Sequence, residues 1–264
     1  MSIFAILSPA KSMQFDSAVP KVPTSRARFA KHTSTIIEAM RQRSPAQLQK
    51  LQGISAVLAK ENADRWTVMR TRKAQRGAAV LCFTGDVYQG LHTATLTTAQ
   101  QAWLQDHVRV LSGLYGLLRP MDVLQAYRLE MGTRLKVNRT VNLYAFWGDT
   151  LTAALKRDMG KASCLVNLAS DEYAKAIDFK ALEAEVISVR FLQEVNGTAK
   201  FMSFYAKRAR GEFARWMAQH KPASSKALAK FDAAGYRLTD RTGSTLTFAR
   251  PKPAPLNARQ ASSS

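Results

Sequence analysis

The chain has 264 residues, 46% of them hydrophobic and 22% charged. That is enough for one substantial core or two modest ones, and it is not the composition of a disordered chain. Thirty-nine Lys and Arg against 19 Asp and Glu give a formal charge of +20. Such self-repulsion is relieved by a polyanion, so nucleic acid is the expected partner and a generic cationic surface the alternative.

The longest apolar runs, Ser2 to Leu7 and Ala78 to Phe83, fall far short of the about 20 residues a membrane span needs. Pro9 and Lys11 end the first run too early for a secretory signal. The expectation is therefore a cytoplasmic protein with no membrane partner.

In chain order, Ile3 to Leu7 reads as a buried strand ending at Ser8. Thr24 to Trp66 is helical in pattern, and a basic connector with Arg70, Arg72, Lys73 and Arg76 follows. Val80 to Phe83, Val108 to Leu111 and Leu165 to Leu168 are further buried strands, each closed by a polar cluster. Between them, Leu143, Phe146, Trp147, Thr150, Leu151 and Leu155 repeat at helical spacing. Ser170, with Asp171 and Glu172 behind it, has the chemistry of a helix start. Val186 to Leu192 and Ala199 to Phe204 flank Asn196-Gly197, a strong hairpin signal, and Arg241 to Ser244 makes a second turn before Thr245 to Phe248. From Pro251 the sequence loses periodicity and reads as a disordered tail, residues 251–264. With no repeat and no linker, these elements predict a single α/β domain over 1–250. It would have a central mixed sheet, flanking helices and a helical insertion near 44–66.

That insertion breaks into helix, tight turn, helix. Ser44 can cap, Pro45 suits the first helical position and Gly53 permits a close turn; Val57, Leu58 and Trp66 offer the second helix an apolar face. Leu51, Gly53, Ile54 and Ala59 resemble the helix-hairpin-helix pattern, with Ser55 where a second glycine is usual. In such a hairpin, N–H groups at the start of the second helix form a phosphate site. Gly53, Ile54 and Ser55, with Lys50 and Lys60 nearby, would bind backbone without reading bases. A plain helical hairpin packed on the sheet is the bland alternative. A second basic element runs from Tyr205 to Met217. Ala209, Phe213, Trp216 and Met217 share one side, and Lys207, Arg208, Arg210 and Arg215 spread over the other.

Longer motifs connect these pieces. They include Leu7-Ser8-Pro9-Ala10-Lys11, Gly85-Asp86-Val87-Tyr88, Ser112-Gly113-Leu114-Tyr115-Gly116-Leu117-Leu118-Arg119-Pro120 and Tyr127-Arg128-Leu129-Glu130-Met131-Gly132. Phe146-Trp147-Gly148-Asp149, Asn167-Leu168-Ala169-Ser170-Asp171-Glu172-Tyr173, Ser203-Phe204-Tyr205-Ala206-Lys207-Arg208-Ala209-Arg210-Gly211, Phe231 and Gly235-Tyr236 complete the set. Together they resemble the YaaA family of bacterial peroxide-stress proteins over nearly the whole chain. The resemblance implies an unusual α/β fold with a helix-hairpin-helix and a positively charged cleft. It also implies binding of duplex DNA, including bubbles and junction-like distortions, and limitation of oxidative damage when peroxide and free iron threaten the chromosome. The chain departs from the family pattern at Thr84, where lysine is usual.

A rival reading starts from the polar clusters behind the strands, since open α/β sheets bind ligands at strand carboxyl ends. Ser8 and Lys11 could supply a nucleophile or an anion clamp, and Asp86 and Glu130 an acid/base pair. Arg128 could contact a phosphate or carboxylate, and Tyr173 could orient a ligand. These would serve an enzyme acting on a nucleobase or nucleotide if they meet in one cleft. Each also has an ordinary role as an exposed, paired or turn-forming side chain. No cofactor or structural metal is expected. His32, His92, His107 and His220 fall in separate segments, Cys82 and Cys164 are far apart in sequence, and the Gly113 to Gly116 turn lacks the Lys-Ser/Thr ending of a P-loop. Oligomeric state is left open by the sequence.

Overall fold

A computed structural model describes residues 3–15 and 19–252. The chain opens with β1 (Ile3–Leu7), β2 (Ser25–Arg26), α1 (Ala30–Arg41), α2 (Pro45–Gln52) and α3 (Ala56–Val68). Next come β3 (Arg76–Ala78), α4 (Ala79–Cys82), α5 (Asp86–Leu91), α6 (Thr98–His107), β4 (Val108–Ser112), β5 (Gly116–Leu118) and β6 (Asp122–Gln125). The second half holds α7 (Leu143–Trp147), α8 (Thr150–Met159), β7 (Cys164–Leu168), α9 (Asp171–Ala174), β8 (Glu185–Val195) and β9 (Thr198–Lys200). It closes with α10 (Ser203–His220), β10 (Arg237–Thr242) and β11 (Thr245–Pro251).

The larger sheet runs β10-β11-β8-β7-β1-β4-β5, with β9 added to β8. Its five central strands are parallel, and the pairs β10/β11, β4/β5 and β8/β9 are antiparallel. The expected mixed sheet is therefore present. β1 and β4 are buried at every position, as strands covered on both faces must be. β8 instead alternates, burying Ile187, Val189, Phe191 and Gln193. Phe191 meets Phe213 of α10, Phe231, Tyr236 and Phe248, with ring centroids 5.3 to 6.0 Å apart, so one aromatic cluster ties the basic helix to the sheet. A smaller sheet, β2-β6-β3, lies beside α4.

In order along the chain, the five parallel strands β1, β4, β7, β8 and β11 lie in the doubly wound order 2-1-3-4-5. The winding reverses between β1 and β7. These two pair from Ile3↔Cys164 to Leu7↔Leu168, so their following loops leave the sheet side by side. No helix among the described residues is long and apolar enough to cross a membrane.

Several local expectations change in the fold. Val80 to Phe83 is not a strand: Ala79–Cys82 is a helical turn, since a short apolar run buried on all sides carries no periodicity to decide between the two. The helix expected from Leu143 to Leu155 is two helices, broken at Gly148 (φ 45°). The strand after Asn196-Gly197 ends at Lys200, and α10 begins at Ser203. Ser170 precedes α9 as expected, but its hydroxyl does not cap the helix. Pro251 closes β11, and residues 253–264 of the expected tail lie outside the described residues.

Candidate functional site

The hairpin is built as its residues suggest. Ser44 and Gln47 form a reciprocal capping box at the start of α2, with Pro45 in the first turn. Gly53 ends α2 in the left-handed region (φ 60°), where an added Cβ would meet no atom, so the need for glycine is backbone strain alone. Ser55 caps α3 by accepting from Leu58 N–H. The N–H groups of Gly53 and Ile54 both turn back to the Gln49 carbonyl, as in a helix C-cap. The first amides of α3, beginning beyond Ser55, are thus the donors without an intrahelical acceptor. Ile54 is buried, whereas Lys50, Gly53, Ser55 and Lys60 are exposed. The buried face of α3 is Ala59, Asn62 and Trp66; Val57, expected in that face, is 78% exposed, and Leu58 is 37% exposed. Both lie in the first turn of α3, on its solvent side.

Two polar residues anchor the hairpin. Gln52 Nε2 and Asn62 Nδ2 both donate to the Arg128 carbonyl, at 2.7 and 3.1 Å, and Asn62 also donates to Gln52 Oε1 at 2.6 Å. Composition and periodicity gave no sign of this clamp. The only hint was a single asparagine at the apolar spacing of α3.

The reversal between β1 and β7 opens into a cleft of about 510 Å3. It gathers Ser8 and Lys11 from the loop after β1, Asp86 and Tyr88 from α5, Asp171, Glu172 and Tyr173 from α9, and Lys207 and Arg210 from α10. Four of the six candidates from the rival reading, Ser8, Lys11, Asp86 and Tyr173, thus line one cavity. Arg128 and Glu130 line an adjoining depression that shares Pro9, Ala10, Lys11 and Tyr173 with it. Glu130 is held by Arg128 Nε at 3.1 Å and lies 3.9 Å from Lys11 Nζ. The proposed Asp86 and Glu130 acid/base pair is therefore divided between the two depressions.

Ser8 is buried and committed. Its Oγ accepts from Ser170 N–H at 2.8 Å and donates to Ser170 Oγ at 3.2 Å, while its carbonyl accepts from Tyr88 Oη at 2.9 Å. No histidine or carboxylate hydrogen-bonds Ser8 among the described residues, so the hydroxyl clamps the β1 and β7 loops together rather than serving as an activated nucleophile. Ser170 uses its hydroxyl here, which is why it does not cap α9. Burial drives the Tyr88 and Tyr173 phenols well above their ordinary values, reinforced for both by neighbouring Tyr127, so both act as neutral hydroxyls.

Arg210 is different. Burial lowers its pKa, with Asp171 opposing, yet its guanidinium makes no hydrogen bond and no close ion pair among the described residues. Arg208 pairs with Glu212 at 3.2 Å, and Arg215 donates to the Leu91 and His92 carbonyls and Thr95 Oγ1 at 2.8 to 3.2 Å. Of the four cations expected to form one basic face, then, Lys207 and Arg210 enter the cleft, Arg208 is paired on the surface and Arg215 pins α10 to the end of α5. Thr84 donates through Oγ1 to Ser12 Oγ at 3.0 Å and so fastens the cleft rim.

The cleft's shape depends on how α5 and α10 cross. Cβ atoms built on Gly90 and Gly211 would stand 2.1 Å from the Arg208 carbonyl oxygen and 1.7 Å from the Val87 carbonyl oxygen, so the helices touch backbone to backbone. A second groove, about 540 Å3, lies by the smaller sheet and carries Arg26, Arg70 and Arg76. Arg70 is held there by Ser34 and by the Ala30 carbonyl at 2.9 Å. His32, His107 and His220 each stack on a tryptophan, with centroids 4.5 to 5.4 Å apart. Among the described residues no group of three or more His, Cys, Asp or Glu could hold a metal ion.

Comparison with known proteins agrees across the chain. The sequence model of a family described as peroxide stress protein YaaA matches residues 3–242. A UPF0246 protein of Phenylobacterium zucineum is 43% identical over 254 residues, covering 95% of this chain and 96% of that protein. UPF0246 proteins of Chromobacterium violaceum and Variovorax paradoxus are 43% and 45% identical over 92% and 91% of this chain, and over 96% and 95% of their own lengths.

Proposed function

This chain belongs to the peroxide stress protein YaaA family, and from that premise we propose that it acts by gripping DNA through the phosphate backbone. The DNA is duplex or distorted by bubbles and junctions; its coverage limits oxidative damage, and any effect on iron is indirect. The observation that carries this reading is the α2–Gly53–α3 hairpin: an exposed turn flanked by exposed Lys50 and Lys60, with the amides at the start of a 13-residue helix beside it. Such amides and the helix dipole favour a phosphate oxygen and carry no base identity. The formal charge of +20 supports the same partner.

The test is a titration of duplex, bubble and junction DNA at several salt concentrations, with the wild-type chain and Gly53→Val. Valine is strained at φ 60°, and its Cβ meets no atom within 4 Å, so the substitution acts on the turn; the circular dichroism of the variant checks that the fold is kept. Steep salt dependence, preference for distorted DNA, and a variant whose salt slope is shallower by about 1–2 support the hairpin as a backbone site. Weak binding that is equal across substrates and unchanged in the variant overturns it.

A further inference from the structure

We propose that the cleft at the β1/β7 reversal holds a nucleoside monophosphate unit, with its phosphate on Arg210 and Lys207 and an amino-bearing base edge on Asp86 and Asp171. The unit could be a free mononucleotide or a nucleotide turned out of a strand; the recognition chemistry is the same. The site goes beyond backbone binding at the hairpin and does not depend on it.

Four observations converge on this assignment. The cleft lies where the parallel strands reverse, which is where doubly wound sheets take their ligands. Its volume of about 510 Å3 falls in the range of small-molecule sites and is roomy for a bare phosphate. Arg210 is desolvated enough for its pKa to fall, yet its guanidinium donors are unpartnered among the described residues. Bidentate phosphate recognition is the use that suits such a fork. The fourth observation is the balance of charge, since Lys11, Lys207 and Arg210 share the cleft with Asp86, Asp171 and Glu172.

That balance selects the ligand. A simple anion would be repelled by the carboxylates, so the occupant must bring donors as well as negative charge. Glu172 Oε1 already accepts from Gly132 N–H at 2.9 Å. Asp86 and Asp171 accept no side-chain hydrogen bond among the described residues, and a carboxylate is the acceptor that suits the exocyclic amine of cytosine or adenine. Phe204, three residues before Lys207 on α10, does not line the cleft, but its ring is 55% exposed and open to a base that extends beyond it.

The experiment titrates the full chain calorimetrically with AMP, CMP, UMP and inorganic phosphate. AMP and CMP are expected to bind, UMP to bind about tenfold more weakly, and Arg210→Gln to weaken AMP by about tenfold or more. Lys207→Gln, at an exposed position, repeats the loss without risk to folding. Asp86→Asn is expected to erase the preference for AMP over UMP, and Gly53→Val to change none of these values.

A second arm places 2-aminopurine in the unpaired stretch of a bubble and compares wild type with Arg210→Gln at saturation. A fluorescence rise with wild type only, without mononucleotide binding, assigns the site to a nucleotide within a strand; mononucleotide binding alone assigns it to the free ligand. Equal affinity for AMP, UMP and phosphate overturns the proposal, as does silence in both arms. Loss of DNA binding in Gly53→Val leaves it standing.

Discussion

Replacing Gly211 by alanine sets two physical effects against each other with opposite signs. In the middle of α10, alanine is favoured over glycine by about 1 kcal/mol of helix propensity. The added methyl, however, would lie 1.7 Å from the Val87 carbonyl oxygen and 2.7 Å from Leu91 N, both backbone atoms of α5 that cannot rotate away. A normal approach of carbon to oxygen is about 3.3 Å, so the helices must part by about 1.5 Å. Overpacking of this kind costs about 1–3 kcal/mol, and more where only backbone can yield. The expected net effect of Gly211→Ala is destabilisation by about 1–2 kcal/mol, read as a fall in Tm of about 3–8 °C and a lower urea midpoint at unchanged slope. Because α5 carries Asp86 and α10 carries Lys207 and Arg210, the same displacement widens the cleft and weakens any ligand there. Gly90→Ala meets the same crossing from the other side, at 2.1 Å from the Arg208 carbonyl oxygen. The double variant is expected to lose less than the sum, since helices already parted accommodate the second methyl. A Gly211→Ala chain as stable as wild type or more so would refute the backbone-to-backbone crossing.

Other consequences follow from the same packing. Burial alone pushes the Asp158 carboxyl up, but Arg28, bidentate at 2.6 Å, and Arg109, at 2.5 Å, outweigh it and hold it below the ordinary 3.8. A depressed carboxylate contributes stability that is present above its unfolded pKa and lost as pH falls through the folded one. Asp158→Asn is therefore expected to cost about 3 kcal/mol at pH 7 in urea unfolding, with the difference from wild type shrinking as pH falls below the ordinary carboxylate value of 3.8; an equal loss at neutral and acid pH would contradict the ion triad. Burial raises the thiols of Cys82 and Cys164 to about 11 and about 12. Neither is expected to react with a thiol reagent or with peroxide at neutral pH until the chain unfolds, and rapid labelling of the native protein would overturn that. Gln52→Ala removes one of the two donors to the Arg128 carbonyl and leaves Asn62 in place. It is expected to cost about 1 kcal/mol and to raise amide exchange in α2 and α3 above that of the central strands; uniform exchange would refute an independently loosened hairpin.

Much of the molecule was legible in the sequence, because the signals concerned are local. Continuous apolar runs marked β1, β4 and β7, since a parallel strand covered on both faces has no polar side to show. Ser44, Pro45 and Gly53 fixed the hairpin through capping and a left-handed turn, both properties of a few adjacent residues. The ordered motifs fixed the family. Where a run was short, as at Ala79–Cys82, local signal did not distinguish helix from strand, and the packing around it made the choice.

The site was only half legible, and the reason is the distance in sequence between its parts. Composition and helical spacing placed Lys207, Arg208, Arg210 and Arg215 on one basic face, but their fates depend on partners far along the chain. Leu91 and His92 capture Arg215, Glu212 takes Arg208, and the crossing at Gly90 and Gly211 carries Lys207 and Arg210 to the cleft. Ser8 and Ser170 are 162 positions apart and meet because β1 and β7 pair in register. A side chain's type is written in the sequence. Its partner, and hence the work left for its charge or hydroxyl, is set only when the strand order brings remote loops to the same end of the sheet.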